Sequence, residues 1–561
     1  YNTSRKINFI MKTYEDLANY IFPEISETIA DLEKKYPARN LPEGAEVTRF
    51  APSPTGFLHL GSLFTSLVAH KVAKDTGGVF YLRLEDTDTK REVEGSGDEL
   101  VRQLAYFGID PKEGYLGKDV GPYAPYKQSD RAYIYKVCIK ELMKKGRAYP
   151  CFCSAEQLEE TRQIQEAMKM IPGYYGEYAI CRTNTPDEAI ARIEAGEPYV
   201  IRFKSMGNHN NKVTFHDEVR GDISIAENDM DIVILKSDGL PTYHFAHAVD
   251  DHFMHTTTVI RGEEWISSAP IHIELFETLG FKLPKYAHLP VIMKLDNGNK
   301  RKLSKRKDPE ASVSHFIEEG YPREALLVYL MSIANSNFEE WTAENHSYNL
   351  DEFKFSFDKM SLDGVLFDQD KLNFFSKEII ALMSNEEVYN RAYEWADPIF
   401  KSRLETYKKE SLAALNIERG GEKARKDYAA YKDIYPIISL FYKEDNEKEF
   451  NEVGCQFKPE IPSDVVKAVL EDFKKSNDYT LANDVWFNTV KELGARHNFA
   501  ESGKIFKQNP GVYVGHVGDV AEIIRVAVTC RKNTPNLHDV LVILGKDEVD
   551  RRIDRAIASI K

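Results

Sequence analysis

Arg49-Phe50-Ala51-Pro52-Ser53-Pro54-Thr55-Gly56-Phe57-Leu58-His59-Leu60-Gly61-Ser62 is the stretch that decides the fold of this chain. It leaves an apolar, strand-like segment at residues 47–51, passes a Pro/Gly turn and enters a helix that opens near Leu60. Leu63, Leu67, Val68 and Val72 keep helical spacing up to a stop at Gly77-Gly78, and residues 79–84 read as a second strand. Strand, helix and strand in this order make a βαβ unit. The turn after its first strand is the usual ligand position of an open parallel sheet. A helix N-terminus there offers unpaired N–H groups and the positive end of a dipole, which suits phosphate. Glycine lets a nucleotide approach the backbone closely, and His59 is placed to donate a hydrogen bond to a phosphate oxygen.

An H-x-G after a turn gains its weight from a second segment far downstream, Lys302-Leu303-Ser304-Lys305-Arg306. Two lysines three residues apart beside a hydroxyl can grip the other end of a triphosphate, whereas an isolated basic run is usually a solvated face. Together the two segments resemble the paired signature motifs of class I aminoacyl-tRNA synthetases. Residues between them narrow the resemblance to the glutamyl-tRNA synthetases of bacterial type. Arg83-Leu84-Glu85-Asp86-Thr87-Asp88 is similar to a motif of that family, as are Asp238-Gly239-Leu240-Pro241-Thr242-Tyr243-His244-Phe245-Ala246, Val249-Asp250-Asp251-His252 and Val259-Ile260-Arg261-Gly262-Glu263-Glu264-Trp265. Arg525-Val526-Ala527-Val528-Thr529 and Thr534-Pro535-Asn536-Leu537 resemble the closing helices of its anticodon-binding region. The resemblance covers residues 45–561.

It implies an α/β fold: a doubly wound Rossmann-type catalytic domain with an inserted α+β acceptor-stem domain, followed by an all-α anticodon-binding region. The expected boundaries are an N-terminal helical extension at 1–44, the first catalytic half at 45–125, the insert at 126–228 and the second catalytic half at 229–298. The lysine loop and a stem-contact domain follow at 299–380, and the helical anticodon-binding region at 381–561. Locally, residues 130–146 and 156–170 read as helices, 199–203 as a strand, and 231–235 as the return of sheet. Thr534-Pro535 reads as the start of the last helical segment and Gly545 as its end.

The implied reaction activates L-glutamate with ATP and transfers it to tRNA. Phosphoryl chemistry of this kind needs positioning and charge neutralisation more than a protein nucleophile. By resemblance, His59, Lys302 and Lys305 with Mg2+ are the catalytic set, and Gly61, Ser62 and Ser304 join them around ATP. Ser62 stands where the first motif of the class carries a second histidine, which glutamyl enzymes commonly lack. Arg49, helped by Tyr243, pairs with the side-chain carboxylate, Arg261 holds the α-carboxylate and Glu85 the ammonium, with Ala51 and Ser53 completing the pocket. Two arginines and one glutamate complement a dicarboxylic amino acid. His247 is counted in the same pocket, at a position where many family members carry asparagine. Cys151-x-Cys153 and Cys181 resemble the Zn2+ site in the insert of some members. Three thiolates need a fourth ligand; Tyr178 or Glu177 could serve, and a reduced, metal-free cluster is the favoured reading.

At 561 residues the chain is too long for one core, and about three to five domains are expected. The composition, 42% hydrophobic and 29% charged, is that of a soluble globular protein. No apolar run approaches the roughly 18 residues of a membrane span, and the first residues do not read as a signal peptide. Met11 is a candidate start, with residues 1–10 upstream. The net charge of −15 argues against a generic nucleic-acid coat but not against tRNA met by local basic patches. Six scattered cysteines suit a reducing cytoplasm. The expected partners are L-glutamate, ATP and tRNA-Glu, with charging of tRNA-Gln left open and a monomer as the expected form. Tyr513, Arg525 and Arg531 are candidate anticodon readers. A glutaminyl enzyme is disfavoured by the helical C-terminus. The alternative of another class is a catalytically silent, synthetase-like tRNA-binding protein.

Overall fold

Two capped helices open the chain, α1 (Tyr14–Ile21) and α2 (Ile29–Lys35). Each starts with a threonine followed three residues later by an aspartate, Thr13 with Asp16 and Thr28 with Asp31, and both pairs close reciprocal capping boxes. The computed structural model describes residues 11–560 except 55, 57, 89–92, 305–306 and 421–423. Lys305 and Arg306 of the basic loop, Thr55 and Phe57 of the first motif, and residues 1–10 therefore lie outside the described residues. The N-terminal extension is fastened down. Lys140 Nζ donates to Phe22 O at 2.9 Å and Ile25 O at 2.7 Å. Arg39 makes a two-pronged pair with Glu113 at 2.8 and 2.9 Å.

β1 (Val47–Phe50) is buried along its whole length, as a strand covered on both faces must be. After α3 (Leu60–Asp75), β2 (Val79–Leu82) pairs parallel with it, Val47 opposite Val79 and Phe50 opposite Leu82. Gly78 has no alternative at the entry to β2: a Cβ there would stand 1.9 Å from Glu46 O. α4 (Ser96–Tyr106) leads to β3 (Glu113–Tyr115), parallel to β2, and β4 (Asp119–Val120) turns back against β3.

The inserted segment follows α5 (Ala132–Lys144) with β5 (Ala148–Cys151), α6 (Ala155–Ala167), α7 (Pro186–Glu194), β6 (Val200–Phe203), β7 (Lys212–Asp217), β8 (Gly221–Ala226) and β9 (Val233–Leu235). The sequence pattern returns residues 231–235 to the nucleotide sheet; β9 instead pairs antiparallel with β6, which also carries β5. The hairpin β7–β8 goes the other way. It joins the second half of the nucleotide sheet at Tyr286 opposite Asp217. Short apolar runs announce a strand, but which neighbour it meets is a tertiary matter.

α8 (Tyr243–Phe253), β10 (Thr258–Gly262), α9 (Ala269–Leu279) and β11 (Lys285–Leu289) complete the doubly wound layer, β10 and β11 in parallel register. Thr257 N donates to Val47 O at 3.0 Å, which brings β10 alongside β1. β12 (Ile292–Asp296) and β13 (Asn299–Lys302) form the hairpin that carries the first lysine of the basic loop.

Residues 316–329 and 368–560 belong to a second compact unit, separate from that of residues 11–315 and 330–367. Among its described residues the regular structure is helical apart from the paired two-residue strands Phe499–Ala500 and Gly515–His516. Trp486, Val490, Leu493, Val520, Ile524, Leu541 and Ile553 pack in one of its cores. The last helix, Leu537–Ser559, is capped by the Asn536 side chain, which accepts from His538 N at 3.0 Å, and not by Thr534. Gly545 breaks it at φ 74° and ψ 162°, yet helix resumes at once beyond the kink. Among the described residues no helix is long and apolar enough to cross a membrane.

Candidate active site

The ends of β1 and β10 and the start of α3 open on one cleft of about 1230 Å³. Arg49, Ala51, Ser53, His59, Gly61, Ser62, Glu85, Tyr243, Arg261 and Lys302 all line it. Ser304 does not; its N–H donates to Asp308 Oδ2 at 2.9 Å, in the turn that Arg301 closes on Asp308 at 2.6 and 2.8 Å. Lys305, the other lysine of the motif, is outside the described residues.

His59 is the N-cap of α3, and its Nδ1 accepts from Gly61 N at 3.0 Å. An accepting Nδ1 leaves the proton of the neutral ring on Nε2. A Cβ at Gly61 would sit 3.2 Å from His59 Nδ1, so a small residue keeps this cap in place.

Beneath the cleft lies a buried ionic network. Asp251, on α8, meets Arg49 Nε at 3.2 Å and Arg83 Nη1 at 2.8 Å, and Thr256 Oγ1 donates to it at 3.1 Å. Arg83 also reaches Glu85 at 3.0 Å, and Arg131 Nε holds Asp250 at 2.6 Å. Burial works against the Asp251 carboxylate, but Arg49 and Arg83 together hold it well below the ordinary range. Burial raises Glu85 in spite of Arg83 and Arg49. Asp250, Asp251, Arg83 and Arg131 are absent from the site residues read off the sequence. Arg83, Asp250 and Asp251 do lie within the motifs that carry the resemblance, whereas no motif contains Arg131.

Arg261 lies on β10, almost fully buried at 5% exposure. Its Nε donates to His288 Nε2 at 3.0 Å, its Nη1 lies 3.2 Å from His272 Nδ1, and its Nη2 donates to Trp265 O at 3.4 Å. Tyr243 packs on Trp265 with ring centroids 4.4 Å apart.

The sequence reading puts His247 against the amino acid; the structure sets it behind Tyr243. Their rings stack 5.9 Å apart at 21°, and His247 is not exposed to the cleft. One helical turn puts the two on the same face of α8, and of the pair only Tyr243 lines the cleft. His247 Nδ1 lies 2.9 Å from Asp251 Oδ2, off the hydrogen-bonding direction, and Nε2 lies 3.5 Å from the Tyr286 hydroxyl. Burial drives its pKa down to about 3 although Asp251 opposes the shift. The ring is therefore neutral at physiological pH.

Lys302 Nζ meets Glu264 Oε1 at 2.6 Å on the rim, with both side chains about half exposed. Exposed pairs of this kind contribute little stability.

Away from the cleft, the sulfurs of Cys151, Cys153 and Cys181 all lie within 4.8 Å of one another. Neither fourth ligand offered by the sequence is there. The Tyr178 hydroxyl turns to the sulfurs of Met168 and Met170, at 3.6 and 3.7 Å, and Glu177 is exposed. The Tyr174 hydroxyl occupies the place, 3.4 Å from Cys151 Sγ and 3.2 Å from Cys153 Sγ. Hydrogen bonding from Cys181 pulls the Cys151 thiol below its ordinary value. In the helical unit, Arg531 is spent on structure, bound to Glu449 at 2.7 Å and Ser439 at 3.0 Å. Arg525 and Tyr513 are partly exposed.

Comparison with known proteins agrees with this architecture. The family model for tRNA synthetases class I (E and Q), catalytic domain, matches residues 46–374, and that for an anticodon binding domain matches 515–557. A glutamate–tRNA ligase of Clostridium perfringens (strain 13 / Type A) is 48% identical over 547 residues, spanning 96% of this chain and 100% of the relative. One from Acetivibrio thermocellus is 43% identical over 549 residues, spanning 97% of this chain and 100% of its own. The crystal structure of a glutamate tRNA ligase from Elizabethkingia meningosepticum, in complex with its amino acid, is similar at a TM-score of 0.73 and 30% identity, covering 92% of this chain and 100% of that one. The chain belongs to the class I tRNA synthetases and, within them, to the glutamate–tRNA ligases.

Proposed function

We propose that the cleft activates L-glutamate with ATP and passes it to the 3′ end of tRNA-Glu, releasing pyrophosphate and AMP, through the following residues. Arg49, with the Tyr243 hydroxyl, takes the side-chain carboxylate. Arg261 takes the α-carboxylate, Glu85 the ammonium, and Ala51 and Ser53 form the wall between them. The observation that carries this reading is the charge of the lining: two buried guanidiniums and one buried carboxylate face the same cleft beside the start of α3.

An oxygen of the α-carboxylate attacks the α-phosphorus of ATP, and pyrophosphate leaves with the electron pair of the broken P–O bond. A hydroxyl of the terminal ribose of tRNA then attacks the activated carbonyl, and AMP leaves. His59 donates from Nε2 to a phosphate oxygen at the positive end of α3. Lys302, Ser304 and Lys305 hold the other end of the triphosphate, with Gly61 and Ser62 at the near end. Mg2+ arriving with ATP supplies further neutralisation of phosphate charge.

Zn2+ suits the donor set of Cys151, Cys153, Cys181 and Tyr174, in which the phenol oxygen completes three sulfurs to four donors. Bound there, it would tie the start of α6 to the segment before α7. The helical unit is the proposed anticodon reader, through stacking and edge contacts to single-stranded bases. A cytoplasmic monomer is the proposed form, and the sparse cysteines of this 561-residue chain support the reducing compartment. Aminoacylation of purified tRNA-Glu and tRNA-Gln, each offered glutamate and glutamine, tests the whole reading. Glutamate on tRNA-Glu is expected. Charging with glutamine, or no charging at all, would overturn it, and the second result would favour the silent tRNA-binding alternative.

A further inference from the structure

Three of the buried arginines near the cleft are met by carboxylates: Arg49 and Arg83 by Asp251, and Arg131 by Asp250. Arg261 is different. Among the described residues no carboxylate lies within ion-pair distance of it, and its partners are two imidazoles and one carbonyl. A guanidinium can only donate, so both imidazole nitrogens that face it must accept, and both rings must be neutral.

The tautomers follow from the neighbours. His288 Nε2 accepts from Arg261, so its proton is on Nδ1, which meets Asp217 Oδ2 at 2.6 Å. Asp217 is itself fixed, because its carboxylate accepts from Val219 N at 3.1 Å, Arg220 N at 3.0 Å and His288 N at 3.1 Å. On the other edge, His272 Nδ1 accepts from Arg261, which leaves its proton on Nε2, 3.0 Å from His244 Nδ1. The Tyr286 ring faces the guanidinium, with its centroid 4.9 Å from Arg261 Cζ. Asp217, His272 and His288 are all buried.

We propose that Asp217 and His288 are positioning residues for Arg261, orienting its guanidinium through a neutral acceptor so that its charge is kept for the carboxylate of glutamate. The proposal rests on the reading of Arg261 as a glutamate-binding side chain. A carboxylate in direct contact would orient the arginine equally well but would take up part of its charge, as Asp251, shared between Arg49 and Arg83, does for Arg49. The imidazole supplies direction without charge, and Asp217 supplies the tautomer. Asp217 comes from the end of β7, so the hairpin that leaves the insert to join β11 brings in the group that sets Arg261.

The test uses the full chain in aminoacylation of tRNA-Glu, reading the KM of glutamate and of ATP separately. His288→Ala should raise the glutamate KM on the order of tenfold or more, the usual scale for a misplaced binding group, with the ATP KM unchanged. His288→Gln, whose side-chain oxygen can accept from Arg261, should restore most of the loss. In an Arg261→Ala background, His288→Ala should add nothing further, because it acts through that arginine. Should His288→Ala fail to fold, His288→Leu fills the space without an acceptor and faces the same comparison. Equal rises in both KM values, or a full additional loss in the Arg261→Ala background, would overturn the proposal. An unchanged glutamate KM in Arg261→Ala alone would overturn the prior reading of Arg261 instead.

Discussion

His247→Asn gives the structure a quantitative test. The ring is fully buried between Tyr243, His272 and Asp251, and its pKa falls from 6.5 to about 3, chiefly through burial. Below pH 6.5 the unfolded chain takes up a proton at this residue that the folded chain refuses. Its contribution to stability therefore falls as pH drops through the window between 6.5 and about 3. Linkage puts the loss between about pH 7 and pH 5 at about 2 kcal/mol for this one group. Asparagine removes the titration. It also costs packing, but by the same amount at both pH values, so the difference between the two slopes isolates the proton. His244 and His252, each lowered to about 4, steepen the acid limb of both proteins alike and cancel. Urea unfolding of the full chain, read by pulse proteolysis so that the two compact units separate, supplies the free energies. The wild-type N-terminal unit should lose about 2 kcal/mol more than the variant on going from pH 7 to pH 5. Parallel pH slopes would refute the reasoning, because they would mean that His247 titrates in the folded protein as it does in the unfolded one.

Asp251→Asn keeps shape while leaving Arg49 and Arg83 with less counter-charge, so the N-terminal unit should lose about 3–5 kcal/mol in the same assay; a loss below about 1 kcal/mol, the scale of an exposed pair, would show the network to be solvated. Arg49→Ala should impair glutamate while admitting neutral analogues weakly, and Arg261→Ala should impair every amino acid alike; identical selectivity in the two variants counts against opposite ends for the two arginines. Lys305→Ala should raise the activation barrier by roughly 3 kcal/mol with little change in glutamate affinity, and equal effects on rate and affinity would remove it from the phosphate-handling set. Metal analysis of the purified protein should find zinc that Cys153→Ser loses, whereas a metal-free wild type would leave the cysteine cluster as reduced thiols.

The βαβ unit and the turn where a ligand would sit were legible in sequence, because they rest on local rules. Helical spacing from Leu60, the stop at Gly77-Gly78 and the strand at Val79 are read within one segment, and the helix and strand of the structure begin at those residues. The resemblance placed residues as far apart as Arg49 and Lys302 in one site, and both line the cleft. Sequence could not choose between neighbours. Residues 233–235 look like any apolar strand, and only the available edge of β6 sends them into the insert sheet. Asp217 and His288 are 71 positions apart, and nothing in either segment announces a hydrogen bond between them. His247 sits in a site motif, yet the helical turn that brings Tyr243 to the cleft buries His247 behind it. Tyr174 and Tyr178 are equivalent in composition, but one hydroxyl meets the sulfurs and the other turns to two methionines. The sequence determined which chemistry is present and on which elements. The tertiary structure decided which groups touch, because contact between distant segments depends on strand partners and side-chain directions that no local spacing encodes.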